Sequence, residues 1–171
     1  PFMESTRDVL SDLKLRGGWG KLGNQQLGTN TRSYIEFYPY QSVLSQKNYA
    51  FGGTVNHGVA PVAGANSDLK WETSKTTNIG LDAGFLQNMF TISVDAYWKK
   101  TYDILMKLPV STLYGLEAPY QNAGEVTNKG VEMQLGYKLS KNDFTFNVAA
   151  NIAYNKNEVT NLHNDGAEIW L

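Results

Sequence analysis

Asn78-Ile79-Gly80-Leu81-Asp82-Ala83-Gly84-Phe85 alternates without a break. Ile79, Leu81, Ala83 and Phe85 fall on one face of an extended chain, and Asn78, Gly80, Asp82 and Gly84 on the other. Leu86-Gln87-Asn88-Met89 interrupts the pattern, which then resumes: Phe90, Ile92, Val94, Ala96 and Trp98 share one face, and Thr91, Ser93, Asp95, Tyr97 and Lys99 the opposite one. Successive side chains of a strand point to opposite faces, so period 2 over about ten residues in each arm predicts a long-stranded hairpin.

The hairpin recurs 54 residues on. Val131, Met133, Leu135, Tyr137 and Leu139 alternate with Glu132, Gln134, Gly136 and Lys138; Ser140-Lys141-Asn142-Asp143 reads as the turn. Phe144, Phe146, Val148, Ala150, Ile152 and Tyr154 then alternate with Thr145, Asn147, Ala149, Asn151, Ala153 and Asn155. Four-residue turns are a common hairpin length. A fifth segment, Leu13, Leu15, Gly17 and Trp19 against Lys14, Arg16 and Gly18, lies near the start, and Tyr49 to Val55 is a candidate sixth. Ser5 to Leu13 reads as one short helix or turn, with Ser5 and Asp8 as cap candidates.

Composition agrees with an all-β chain and removes several function classes. The 171 residues include 10 Tyr, 7 Phe, 4 Trp and 16 Gly. The absence of Cys excludes disulfides, thiolate metal sites and cysteine nucleophiles. Two His, His57 and His163, leave little material for a zinc centre or a His-based triad. Fifteen Lys+Arg against 16 Asp+Glu give no basic footprint for nucleic acid. Mean hydropathy is −0.38, and no apolar run approaches the roughly 18 residues of a spanning helix. Membrane barrels remain open.

The connections separate the architectures. Turns within hairpins are short, whereas Met106 to Gly124 and Lys21 to about Lys70 read as long loops. Short turns on one rim and long loops on the other characterise bacterial outer-membrane barrels. Phe90 to Trp98 climbs about 20 Å at roughly 3.3 Å per residue and a 40° tilt, and Phe144 to Tyr154 about 25 Å, against a lipid-facing band about 25 Å tall. Phe90, Phe144, Leu139 and Tyr137 would line the short-turn rim, and Trp98, Tyr102 and Tyr154 the other. The expected lipid-facing set is Ile79, Leu81, Phe85, Phe90, Ile92, Val94, Trp98, Met133, Leu135, Phe144, Phe146, Val148, Ile152 and Tyr154.

The expected fold is therefore an antiparallel up-and-down transmembrane β-barrel, partial, with about five or six strands of a larger barrel, because such barrels close with even numbers from about eight upward. Residues 1–171 are read as a single incomplete domain: the chain opens on Pro1-Phe2-Met3 and closes on Ile169-Trp170-Leu171, as if cut at both ends. The alternative is a soluble β-sandwich or jelly-roll binding module, for instance for carbohydrate, with the same apolar face covered by a second layer roughly 10 Å away.

Longer stretches carry a family resemblance. Asp12-Leu13-Lys14-Leu15-Arg16-Gly17-Gly18-Trp19-Gly20-Lys21-Leu22-Gly23-Asn24-Gln25 resembles the late-barrel LKLRxxxGxxGNQ stretch of SusC/RagA-type TonB-dependent outer-membrane transporters. Asp68-Leu69-Lys70-Trp71-Glu72-Thr73 with Thr77-Asn78-Ile79-Gly80-Leu81-Asp82 is similar to its PDLKWExTxxxNxGLD segment, with Ser67 in place of the usual proline. Ser93-Val94-Asp95-Ala96-Tyr97-Trp98-Lys99 through Leu105, Asn122 through Glu132 and Tyr154-Asn155-Lys156-Asn157-Glu158-Val159 match three further motifs in the family's order.

The resemblance implies the C-terminal part of a receptor barrel without its plug domain, in the bacterial outer membrane. It further implies import of oligosaccharides or peptides under a SusD-like surface lipoprotein, driven by TonB through the missing N-terminal part. It implies no enzyme, no cofactor and no nucleic-acid partner.

Residue chemistry adds little beyond this. Gly18-Trp19-Gly20-Lys21-Leu22-Gly23 satisfies G-x-G-x-x-G, but Asn24 to Asn30 supplies no helix to follow it. Asp82, Asp95 and Glu132 on the polar face suit a water-facing wall or plug contact beside Arg16, Lys99 and Lys138 better than acid–base chemistry. Gly80, Gly84 and Gly136 on that face read as room for a plug or for curvature. His57, in a Gly-rich loop, reads as solvated. The candidate substrate- or lid-contacting residues are the loop aromatics Tyr34, Phe37, Tyr38, Tyr40 and Tyr114, since exposed loops with stacking rings suit sugars and peptide side chains. No catalytic or metal-ligating residues are expected.

Overall fold

The computed structural model describes residues 9–27 and 38–162. Its strands are β1 (Leu10–Asn24), β2 (Leu44–Phe51), β3 (Thr54–Pro61), β4 (Glu72–Phe85), β5 (Phe90–Lys107), β6 (Tyr120–Lys141) and β7 (Phe144–Leu162). Five form an antiparallel sheet in the order β1-β4-β5-β6-β7, and β2 pairs with β3 in a separate ribbon. The chain divides into two compact units. One comprises Pro1–Leu22, Ser74–Lys100 and Val126–Glu158; the other comprises Gly23–Thr73, Thr101–Glu125 and Val159–Leu171.

In the first unit the two expected hairpins are present. Leu86 to Met89 connects β4 to β5, with Leu86, Gln87 and Asn88 at φ 51°, 58° and 63°. Three successive non-glycine residues in the left-handed region need outside support. The start of β1 supplies it: Leu86 N donates to Val9 O at 2.9 Å and Asn88 N to Ser11 Oγ at 3.3 Å. That pairing also overrides the expected helix at Ser5 to Leu13. Leu10 to Leu13 are strand, and Ser5 to Asp8 lie outside the described residues.

The second hairpin is tighter than expected. Only Asn142 and Asp143 connect β6 to β7, because the ladder continues through Ser140 and Lys141, with Ser140 Oγ 3.4 Å from Thr145 Oγ1. Asn142 takes φ 51°, a conformation asparagine tolerates better than most residues.

The alternation produces one bare face. Phe144 is 62% and Ile152 69% exposed, and Ile79, Leu81, Phe90, Trp98, Leu135, Phe146, Val148 and Tyr154 are exposed as well. Phe85, Ile92, Val94 and Met133 are half-buried among them. Near the short turns Tyr137 packs its ring 4.7 Å from Phe90 and 6.3 Å from Phe146.

In the second unit, β2 and β3 replace the expected strand over Tyr49 to Val55. The chain reverses at Gly52-Gly53, both with positive φ (63° and 77°), the backbone a two-residue type I′ turn requires. Phe51 therefore faces Thr54, and Asn48 faces His57. The described hydrophobic residues that are buried all lie in this unit: Ala63, Leu108, Tyr120 and Ala123. The β5–β6 connection is also shorter than Met106 to Gly124, since β5 runs to Lys107 and β6 begins at Tyr120.

Candidate functional site

The two long connections are tied together by backbone. Ala63 and Glu117 form a parallel bridge, with Gly64 N donating to Glu117 O and Glu117 N to Val62 O, both at 3.0 Å. Asn66 Nδ2 donates to Tyr120 O at 2.9 Å. Asn122 is the densest junction. Its Oδ1 accepts from Lys70 N at 2.8 Å, and its Nδ2 donates to Lys70 O at 2.7 Å and to Asp103 O at 2.8 Å. A carboxamide offers donor and acceptor like a peptide group, so it substitutes for a missing ladder partner. Asp103 needs one: at φ 57° it departs from extended backbone within β5.

This framework presents side chains rather than a cavity. Tyr38 and Tyr40 pair edge to face with centroids 6.3 Å apart. Both are about half exposed, as is Tyr114, and Leu113 is 96% exposed. Ser111 Oγ accepts from Leu113 N at 3.3 Å, and Gly115 closes the short 3-10 turn (Thr112–Tyr114) at φ 71°. The Tyr114 hydroxyl sits against Gly64. The cavity beside Pro39, Ala63 and Pro119 holds about 10 Å³, the room of one water, too little for a sugar ring. Tyr34 and Phe37 lie outside the described residues.

The polar face in the first unit carries a separate charged cluster. Arg16 Nε and Nη2 donate to Asp82 Oδ2 and Oδ1 at 2.8 and 2.9 Å, and Nη2 also to Asp95 Oδ2 at 2.8 Å and Ser93 Oγ at 3.3 Å. Ser93 Oγ donates to Asp82 Oδ1 at 2.6 Å. Alternation alone brought Arg16, Asp82 and Asp95 to one face; the structure adds the fork that joins three strands. Gly80 makes this possible, since a Cβ there would lie 2.8 Å from Arg16 Cζ. The room at Gly80, and at Gly84 beside Asn88, is thus taken by side chains of the sheet itself.

Other sequence readings resolve simply. The G-x-G-x-x-G stretch lies inside β1, so it is strand and not a dinucleotide loop. His57 Nδ1 is 2.7 Å from Asn48 Oδ1 across the β2–β3 ribbon, where both residues are exposed. Among the described residues no three His, Asp or Glu groups converge in a metal-holding arrangement.

A family model for the β-barrel of TonB-dependent receptor-like proteins matches residues 7–169. The chain belongs to the TonB-dependent receptor β-barrel family. It is 40% identical over 158 residues to the TonB-dependent receptor SusC of Bacteroides thetaiotaomicron, covering 91% of this chain and 15% of that protein. It is 32% identical over 167 residues to the TonB-dependent receptor P3 of Formosa agariphila, covering 96% of this chain and 16% of that protein. Among solved structures it resembles the RagAB peptide importer in the open-open state, with a TM-score of 0.74, 31% identity, and 91% of this chain against 16% of that one.

The chain thus spans about one sixth of the relatives it matches. As a TonB-dependent receptor barrel of the SusC/RagA type it is an outer-membrane protein, and its five-stranded sheet is part of a barrel wall. This overturns the soluble sandwich: the exposed apolar face is that of a barrel strand and requires no second protein layer.

Proposed function

We propose that this segment forms late, C-terminal strands of a transporter that imports oligosaccharides or peptides under a SusD-like surface lipoprotein, with TonB acting through a part of the protein outside this chain. Tyr38, Tyr40 and Tyr114 contact solute or lid. The observation that carries this reading is the cluster formed by the long connections and the start of β6, which collects the buried apolar residues and presents half-exposed tyrosine rings on a hydrogen-bonded frame. Rigid exposed rings bind planar or apolar groups at low entropic cost. The apolar face from Ile79 to Tyr154 meets lipid, and the face of Arg16 and Asp82 meets the aqueous interior. Barrel transport of this kind is binding and gating without covalent chemistry.

The test uses the full-length transporter with Tyr38→Ala, Tyr40→Ala and Tyr114→Ala, assayed for binding and uptake of peptide and oligosaccharide panels. Each ring removed is expected to weaken solute or lid binding roughly threefold to tenfold, with the barrel still inserted. Unchanged binding and uptake in the triple variant would reject the assignment.

A further inference from the structure

Leu113 is 96% exposed, more than any other large apolar side chain among the described residues. A lone exposed leucine needs no explanation in general, but this one is held from both sides. Its turn is closed by Leu113 N donating to Ser111 Oγ at 3.3 Å, Tyr114 N to Ser111 O at 2.9 Å and Gly115 N to Thr112 O at 3.2 Å. Gly115 supplies the left-handed backbone (φ 71°, ψ 1°) that ends the turn. Two residues on, Glu117 is bonded through its backbone N–H and its carbonyl to Val62 and Gly64.

The neighbours give this side chain a setting of rings and aliphatic groups, all within the second unit. Tyr114, the next residue, lies on the Gly64 backbone: a Cβ there would be 2.7 Å from its hydroxyl oxygen and 3.1 Å from Pro119 Cδ. Gly64 in turn lines the same small cavity as Pro39, which stands between Tyr38 and Tyr40 in the chain. Val110 is exposed as well.

The polar groups of this frame are already engaged. Asn66 donates to Tyr120 O, Asn122 bonds Lys70 and Asp103, and Ser111 Oγ accepts from Leu113 N. From Lys107 to Tyr120 the charged residues are Lys107 and Glu117, which pair at 3.3 Å, and from Tyr38 to Val43 there is no charge. The surface around Leu113 thus carries no net charge. A sugar pressed onto it would strip water from hydroxyls without returning hydrogen bonds, and a charged side chain would be desolvated without a counter-ion. An aliphatic or aromatic side chain has no such penalty, and covering Leu113 removes its apolar area from water.

We infer that Leu113 is a specificity-determining residue, packing against an apolar side chain of a peptide solute beside Tyr114. The site then selects peptides with aliphatic or aromatic residues over charged peptides and over oligosaccharides. Because the turn is already closed, binding gives up little backbone freedom. The inference rests on the solute contact proposed above for Tyr38, Tyr40 and Tyr114, and narrows it to one class.

The experiment incubates the full-length transporter, purified with any lipoprotein that accompanies it, with an equimolar pool of tetrapeptides and a pool of neutral malto-oligosaccharides, and identifies retained solutes by mass spectrometry. Wild type is expected to enrich peptides containing leucine, valine or phenylalanine. Leu113→Asn should cut that enrichment about tenfold, as expected for one leucine no longer covered. Leu113→Met should keep it, and Val59→Asn, at another bare side chain of the same unit (72% exposed), should leave it unchanged. Leu113 is bare, so neither of its variants costs packing. Retention of peptides without apolar bias, or an equal loss from Val59→Asn, would overturn the inference. Loss of the lipoprotein from Leu113→Asn would overturn it too, by making the leucine a lid contact. Oligosaccharide retention that falls in the tyrosine triple variant but not in Leu113→Asn would overturn it while leaving the solute site standing, and an empty wild type would overturn both.

Discussion

The sheet of the first unit and the loop cluster of the second handle apolar side chains in opposite ways. In the sheet, Ile152 and Phe144 are bare, whereas Arg16, Asp82, Ser93 and Asp95 are bonded to one another. In the second unit, Ala63, Leu108, Tyr120 and Ala123 are buried, the last two at the start of β6, and the frame around them is backbone and carboxamide. The lipid placement proposed for the bare face would account for the difference. A barrel wall needs no dry protein core on its outer face because acyl chains take that place. Loops in water must bury their own apolar groups and satisfy their own amides.

The comparison breaks most visibly at the middle of the bare face. Val148→Arg should cost about 2–4 kcal/mol of folded stability in a bilayer, measured by urea unfolding of the full-length barrel in vesicles. A variant as stable as wild type there would mean that the face does not meet lipid. Next comes the polar face at Gly130, where a Cβ would lie 2.7 Å from both the Tyr154 carbonyl oxygen and the Tyr97 hydroxyl. Backbone cannot step aside, so Gly130→Ala should destabilise by about 1–3 kcal/mol, as overpacking does.

The loop cluster should respond differently. Asn122→Leu removes three hydrogen bonds to Lys70 and Asp103, a local cost of about 1–2 kcal/mol. Hydrogen exchange at the Lys70 amide should accelerate while the barrel's unfolding midpoint holds. A matching drop in that midpoint would show that the loops and the wall unfold as one.

Legibility in the sequence divides along the same line. Alternation in Asn78 to Phe85 and Phe144 to Tyr154 was readable because period 2 is a local property, and it placed Arg16, Asp82 and Asp95 on one face before any partner was known. The core of the second unit was not readable. Ala63, Leu108, Tyr120 and Ala123 follow no period, and their proximity depends on pairings between distant segments such as Ala63 with Glu117. The β2–β3 ribbon was present as Gly52-Gly53, a strong type I′ signal, but Lys47-Asn48 beside Tyr49-Ala50 gives too weak an alternation to mark the arms. The resemblance picked out the motifs containing Lys70, Asp103 and Asn122; that one carboxamide joins all three emerges only from the coordinates.

The smallest effect is expected at Gly80, and it sharpens the contrast with Gly130 because both glycines lie on the same face of the sheet. A Cβ at Gly80 meets the far end of Arg16 and the Asp95 carboxylate, not backbone. Those groups are about one third exposed and can swing into water, where half-exposed ion pairs contribute little. Gly80 is not among the positive-φ glycines, so alanine fits the backbone and restricts the unfolded chain, a gain of about 0.4–1 kcal/mol. The two effects oppose, and Gly80→Ala should leave the unfolding midpoint close to wild type while Gly130→Ala lowers it clearly. If both variants fell equally, the Arg16 cluster would be as unyielding as packed backbone, and the polar face would have to be counted as a core rather than as a wetted wall.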